Sequence, residues 1–320
     1  MLSRIAEALY WTGRYTERAE DTARLLDVAQ RAALEGGGDL GGSETLAALL
    51  GGLPVHGSLS DVIGHYCLNR AAPESLASCV RQARENARTI RDAVTSEMWE
   101  SLNTWHLQVA ATSTKDLTGG GAHTFLAAQR TRAYLFVGSA DASLPREEGW
   151  FWLMLGRWLE RLTFTTRVLA VRAPTLEPPA DPLAGATGGS AVYGWAVLLR
   201  ALSAYEAFRG AHRAGLSPDR VVEFLLLDRH FPRSARHAAM QVEDALVQVA
   251  DEEVGASARR IAGQLRSILD YRQVEDVLEE GLATYVNRVA ELTREVHVAL
   301  AEEPFARAAL SAASFQGGAV

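Results

Sequence analysis

The sequence predicts an all-α helical bundle built from two duplicated halves, and three observations carry that expectation. One helix is written twice. Gly13, Arg14, Glu17, Arg18, Thr22, Arg24, Leu26 and Val28 recur at a constant offset of 143 as Gly156, Arg157, Glu160, Arg161, Thr165, Arg167, Leu169 and Val171, with Tyr15 answered by Trp158. A second motif, Leu68-Asn69-Arg70 followed by Pro73 and Ser75, recurs at an offset of 159 as Leu227-Asp228-Arg229 followed by Pro232 and Ser234. Matched motifs in the same order are the mark of an internal repeat. Finally, no stretch shows the period-two alternation of a half-buried strand.

Taken in order, Ser3 is placed to cap a first helix reaching about Leu34, which the glycines of 36–42 end. Short helices are expected over 43–50 and from Ser60-Asp61 to about Asn69, then a long one from Pro73 to about Val94. Ser96 and Glu97 open the next, carrying Trp99, Leu102 and Trp105. Gly119-Gly120-Gly121 breaks the chain before a helix over 123–136, and the Pro145 turn leads into the second signature helix. Further helices are expected over 191–214, 218–227, 232–250, 255–278 and 280–302. The repeats fall at about 1–148 and 149–304 of one domain spanning 1–320, with a proline-rich linker loop at 173–190 and a flexible tail at 305–320.

On a helical period, Arg14, Glu17, Arg18 and Arg24 share one side with Tyr10 and Gly13, while Trp11 and Tyr15 fall toward the other. The second copy says more. From Trp150 to Val171 its only charges are Arg157, Glu160, Arg161 and Arg167, and a helix apolar almost all round is buried. Its charges must therefore be paired, because one left alone costs about 3–5 kcal/mol.

Composition excludes several classes. A net charge of -7 disfavours nonspecific nucleic-acid binding. Lys115 is the only lysine, so no Walker-type lysine is in place. Cys67 and Cys79 form neither a disulfide framework nor a metal set, and the eight histidines lack ligand spacing. No apolar run is long enough to span a membrane and no signal-type segment opens the chain, so a cytoplasmic protein without metal or cofactor is expected.

Three groups of residues are candidates for chemistry. The signature clusters are Arg14, Glu17, Arg18 and Arg24 with Arg157, Glu160, Arg161 and Arg167. Their surplus of arginine needs acids from elsewhere, for which Asp92, Glu97, Glu100 and Asp228 are candidates, or else an acidic ligand. The corner motif, Asn69, Arg70 and Ser75 with Asp228, Arg229 and Ser234, is either a brace at a helix-to-helix bend or a pair of arginines converging on an anion or on Glu17 and Glu160. Secondary candidates are Arg84 and Arg88 in the row Arg81, Arg84, Arg88, Arg91, together with Glu97, Trp99, Glu100 and Asn103. A carboxylate metal site would need Glu-x-x-His pairs, which are absent.

The opening stretch 1–20, the segments 83–92 and 96–103, the Gly156-Arg157-Trp158-Leu159-Glu160-Arg161 motif and the stretch 224–234 together resemble the bacterial alpha-E domain family. That resemblance implies an all-helical protein that works beside, or fused to, a circularly permuted ATP-grasp protein and a transglutaminase-like protein. It implies a role in peptide synthesis or modification and supplies no reaction for the domain itself. The expected function is an accessory subunit binding a partner enzyme or a peptide. The alternative is an enzyme using Glu17 and Glu160 as acid-base groups with the arginines holding an anionic substrate.

Overall fold

The structure, a computed structural model, describes residues 1–36, 42–176, 188–213, 215–250 and 255–305. Those residues form fourteen α-helices and no strand. The first seven are α1 (Ser3–Leu34), α2 (Ser43–Leu50), α3 (Leu59–Leu68), α4 (Leu76–Thr89), α5 (Ser96–Ala111), α6 (Gly121–Ser143) and α7 (Glu148–Arg172). The other seven are α8 (Gly188–Ala201), α9 (Tyr205–Ala211), α10 (Pro218–Leu227), α11 (Ala235–Val249), α12 (Ala256–Asp270), α13 (Val274–Glu280) and α14 (Leu282–Leu300).

Two sets of four helices share one central seam. α1 packs on α4 and α6, α4 on α5, and α5 on α6; likewise α7 packs on α11 and α14, α11 on α12, and α12 on α14. The seam itself is α1 against α7. Both helices are sheathed by neighbours, which is why α1 buries Thr12, Arg14, Thr16, Glu17, Glu20 and Asp21 as well as its apolar residues. A polar residue on such a helix must be satisfied internally. Thr12 and Thr16 accordingly donate to carbonyls of the preceding turn.

The seam is close because of two glycines. A Cβ on Gly13 would lie 2.1 Å from the Leu153 carbonyl oxygen, and one on Gly156 would lie 1.9 Å from that of Tyr10. The backbones touch at matched positions, and residues downstream of each glycine meet residues downstream of the other. The two helices therefore cross running in the same direction.

Several boundaries differ from those expected. Ser3 begins α1 without capping it; the N-cap is Leu2, and the Met1 amine pairs with Glu148 at 2.6 Å. α3 starts earlier than expected, under a reciprocal cap between Ser58 and Asp61. Ser75 and Ser234 lie outside their helices as N-caps, accepting from Ser78 and His237 amides, so α4 and α11 begin after the prolines. The helix expected over 191–214 is two, because Ser203 adopts φ 54 between α8 and α9. The one expected over 255–278 also divides, at Tyr271. Of the expected linker, 173–176 continue α7 as a tight turn and 188–190 begin α8; the rest, and the expected tail beyond 305, lie outside the described residues.

Candidate functional site

The repeated charges pair across the seam. Glu160 on α7 accepts from Arg14 Nε at 2.7 Å and from Arg18 Nε and Nη2 at 2.6 and 3.0 Å, both on α1. Glu17 on α1 accepts from Arg157 Nε at 2.8 Å and Arg161 Nε at 2.7 Å, both on α7. Each glutamate is thus held by the arginines of the other helix. Burial alone would raise both carboxyls, but the guanidiniums overcome it. Arg18 and Arg14 hold Glu160 at about 2, and Arg161, Arg157 and Arg233 hold Glu17 lower still.

Behind Glu17 lies a second tier that the sequence did not announce. Arg233, between Pro232 and the Ser234 cap, reaches Glu20 and Asp21 by hydrogen bonds and lies 3.1 Å from Glu17. Glu20 also takes Arg24, which contacts the Tyr134 hydroxyl. Oxygens of Glu17, Glu20 and Asp21 lie within 4.8 Å of one another, so this trio has the spacing of a metal site. The Arg233 guanidinium is the cation that bridges all three. Asp21 is the carboxylate driven upward, by burial and by the charges of Glu17 and Glu20. Burial, with Arg157 and Arg233 adjacent, lowers Arg161 to about 10, which leaves it charged at neutral pH.

The two clusters are not equivalent. Glu20 and Asp21 are answered in the second copy by Thr163 and Phe164, and Arg233 by Glu74. Arg24 binds a carboxylate, whereas its counterpart Arg167 donates to the Leu49 carbonyl at 3.3 Å. In the Glu17 cluster Glu17, Arg161 and Arg233 are buried and Arg157 is partly exposed. The Glu160 cluster opens on a cavity of about 330 Å³ lined by Trp11, Arg14, Tyr15, Arg18, Gln82 and His297, among others. Trp11 and Tyr15 therefore border the same cavity as Arg14 and Arg18 rather than facing away from them. Trp11 and Tyr15 stack at 5.3 Å, and Arg14 lies 5.6 Å from the Trp11 ring. His297 Nδ1 meets the Tyr10 hydroxyl at 2.8 Å, and that hydroxyl accepts from Arg14 at 3.0 Å. Burial and the Arg14 charge push His297 down to about 4, so it is neutral there.

Other candidates sit elsewhere. Arg70 is exposed and donates to the Ala110 carbonyl at 3.1 Å, and Arg229 is exposed too. Neither converges on a signature glutamate, because the bend turns their side chains outward. The corners are braces: Asn69 accepts from the Ala71 amide and Asp228 from those of His230 and Phe231. Ser75 donates to the Asn69 carbonyl at 2.5 Å, and Ser234 donates to that of Asp228. Arg84 reaches Asn103 at 3.1 Å and Glu85, Arg88 reaches Glu85 at 2.8 Å, and Arg84 and Arg91 flank the Trp99 ring. Glu97, Glu100 and Asp92 are exposed. Among the described residues, none of these positions, nor Asp228, pairs with a signature arginine; one turn past Glu17 on α1, Glu20 takes Arg24, and Asp21 takes Arg233.

No helix among the described residues is long and apolar enough to cross a membrane. Uncharacterized proteins of Mycobacterium bovis and of Mycobacterium tuberculosis are 23% identical to this chain over 328 residues. The alignments cover 93% of the chain and 35% of each relative, so the chain spans about a third of the length of the curated relatives it matches. No solved structure matches it. A family model described as a predicted alpha-helical domain with a conserved ER motif matches residues 1–305. The chain's two E-R dipeptides, Glu17-Arg18 and Glu160-Arg161, are the pair that meets across the α1/α7 seam. The chain belongs to the Alpha-E family.

Proposed function

We propose that this domain is an accessory module, binding a peptide or a partner enzyme in a bacterial ATP-grasp-linked system that forms or modifies amide bonds. The observation that carries the reading is the state of the two signature glutamates. Each is buried and takes its hydrogen bonds from two arginines of the opposite helix. A general acid or base works best with a pKa near the operating pH, and both carboxyls are held far below it. That supports a framework role for Glu17 and Glu160 over acid-base chemistry.

The binding face is the cavity at Arg14 and Arg18. Two arginines against one glutamate leave one positive charge in excess, beside the aromatic walls Trp11 and Tyr15. Guanidinium forks take carboxylates bidentately, and aromatic rings cover the apolar part of a peptide. The ATP-grasp and transglutaminase-like partners come from the family resemblance, and the length of the relatives accords with a domain joined to further chain. The matched packing of α1, α4, α5, α6 and α7, α11, α12, α14 supports an origin by duplication.

The test reconstitutes the chain with ATP-grasp and transglutaminase-like proteins from the same organism. Wild type and Glu17→Gln/Glu160→Gln are compared by thermal unfolding, pull-down and turnover of the assembled system. A partner complex with wild type and a lowered melting temperature in the variant are expected. A variant that stays folded, binds normally and abolishes turnover overturns the accessory reading, as does the lack of any complex.

A further inference from the structure

The C-terminal half of α1 forms one wall of a second cleft, of about 360 Å³, a volume within the range of small-ligand sites. Its centre is about 20 Å further along α1 than the Arg14/Arg18 cavity, at 1.5 Å rise per residue. α1 contributes Arg24, Asp27 and Arg31, its C-cap is Glu35, α6 contributes Arg130, and α8, α9 and the turn between them contribute Arg200, Ser203 and Glu206. Four arginines thus face three carboxylates, so groups of both signs line one small space with one positive charge in excess.

Among the described residues, buried Arg24 Nε in this wall has no hydrogen-bond partner, and Asp27 Oδ2 has no aligned hydrogen bond, only the nearby charges of Arg130 and Arg31. Their residues are 5% and 1% exposed. Buried polar atoms of this kind are rare in folded proteins. Arg24 is fixed in place by Glu20 and Tyr134. Asp27 accepts from His123 at 2.5 Å, while Arg130 and Arg31 stand 3.2 and 3.3 Å from its other oxygen. Arg200 lies 4.6 Å from the Tyr205 ring. Ser203, with φ 54, is the one non-glycine residue of positive φ among the described residues. Strain of that kind gathers at ligand-binding sites.

We propose that this cleft binds a zwitterionic amino acid or short peptide, the arginines taking its carboxylate and Glu35 or Glu206 its ammonium. A phosphate dianion meets the same arginines but also the three carboxylates, and like charges a few ångströms apart repel strongly where water is scarce. A zwitterion satisfies both signs at once.

Calorimetric titration of the chain alone tests this, using L-alanyl-L-alanine, its C-terminal amide, its N-acetyl derivative and inorganic phosphate. Arg200 and Glu206 are exposed, so Arg200→Gln and Glu206→Gln are read out without disturbing the core; circular dichroism checks their fold. The dipeptide is expected to saturate one site. At least tenfold weaker binding is expected for the amide, for the N-acetyl derivative and for the dipeptide with either variant. No dipeptide binding, equal binding of the amide, or tighter binding of phosphate each overturns the assignment. Loss of binding in Arg18→Gln with retention in Arg200→Gln overturns it as well, because the ligand then sits in the other cavity. Each of these outcomes is read without any partner protein, so failure here is distinct from failure of the accessory role.

Discussion

A methyl group on Gly156 would sit 1.9 Å from the carbonyl oxygen of Tyr10. The obstacle is backbone, so no rotamer change relieves it. Forcing a methylene into a packed contact costs about 1–3 kcal/mol even where side chains can yield. Gly156→Ala and Gly13→Ala are expected to lose at least about 3 kcal/mol in urea unfolding. Gly138, also within a helix but with open space around its missing Cβ, is the control. Gly138→Ala is expected to gain up to about 1 kcal/mol from helix propensity.

Removing a signature glutamate strands its arginines. Glu160→Gln leaves Arg14 and Arg18, and Glu17→Gln leaves Arg157 and Arg161, without their carboxylate. Breaking a buried ion pair from one side costs about 3–5 kcal/mol, and each single variant is expected in that range by chemical denaturation. Asp21→Asn is expected to cost less than about 1 kcal/mol, because burial beside Glu17 and Glu20 already disfavours the Asp21 charge. A loss for Asp21→Asn as large as that for Glu17→Gln would contradict this ordering.

Two contributions make stability fall as pH falls, while Asp21, whose raised carboxyl takes its proton first in the folded chain, works against them. His297, lowered from 6.5 to about 4, is protonated first in the unfolded chain, so its contribution is lost as pH falls from 6.5 toward 4. Glu160, lowered from 4.5 to about 2, and Glu17, lowered further, stabilise fully above 4.5 and lose that contribution as pH falls below it. Each fully shifted group contributes at most about 1.4 kcal/mol per pH unit. Unfolding free energies are expected to decline gently below pH 6.5 and steeply below 4.5. His297→Gln should remove the gentle part and keep the steep one; a curve unchanged by that substitution would count against the neutral His297.

The corner motifs separate by residue. Arg70→Ala and Arg229→Ala remove exposed side chains and are expected to change stability by no more than about 0.5 kcal/mol. Ser75→Ala and Ser234→Ala remove N-caps that also hold the carbonyls of Asn69 and Asp228, for about 1–2 kcal/mol each. Arg233→Met, which leaves Glu17, Glu20 and Asp21 facing one another, is expected to be the most damaging of the five in thermal unfolding.

What the sequence made legible was whatever it wrote twice. The recurrence of Gly13 and Glu17 at Gly156 and Glu160 marked the seam, and the apolar surroundings of the second copy showed that its charges face protein. Repetition could not say that the glutamates exchange arginines, since pairing of Arg14 with Glu17 or Arg157 with Glu160 within one helix, at i,i+3, satisfies the same spacing. Arg233, Glu20 and Asp21 were missed because they occur once, their matched positions holding Glu74, Thr163 and Phe164. The usable signal for Arg233 was its place beside the Ser234 cap, a fixed point of the corner. The break at Ser203 left no trace, because nothing about a serine announces a positive φ.

The exchange of arginines between α1 and α7 also sets a schedule. Arg14 and Glu160 are 146 residues apart in the chain, and translation proceeds at about 5–20 residues per second. For roughly 7–30 s at that rate, Arg14, Glu17 and Arg18 on α1 stand without the α7 partners they take in the folded chain. α1 is thus made long before its surroundings are complete, and the closing of the seam awaits synthesis of α7.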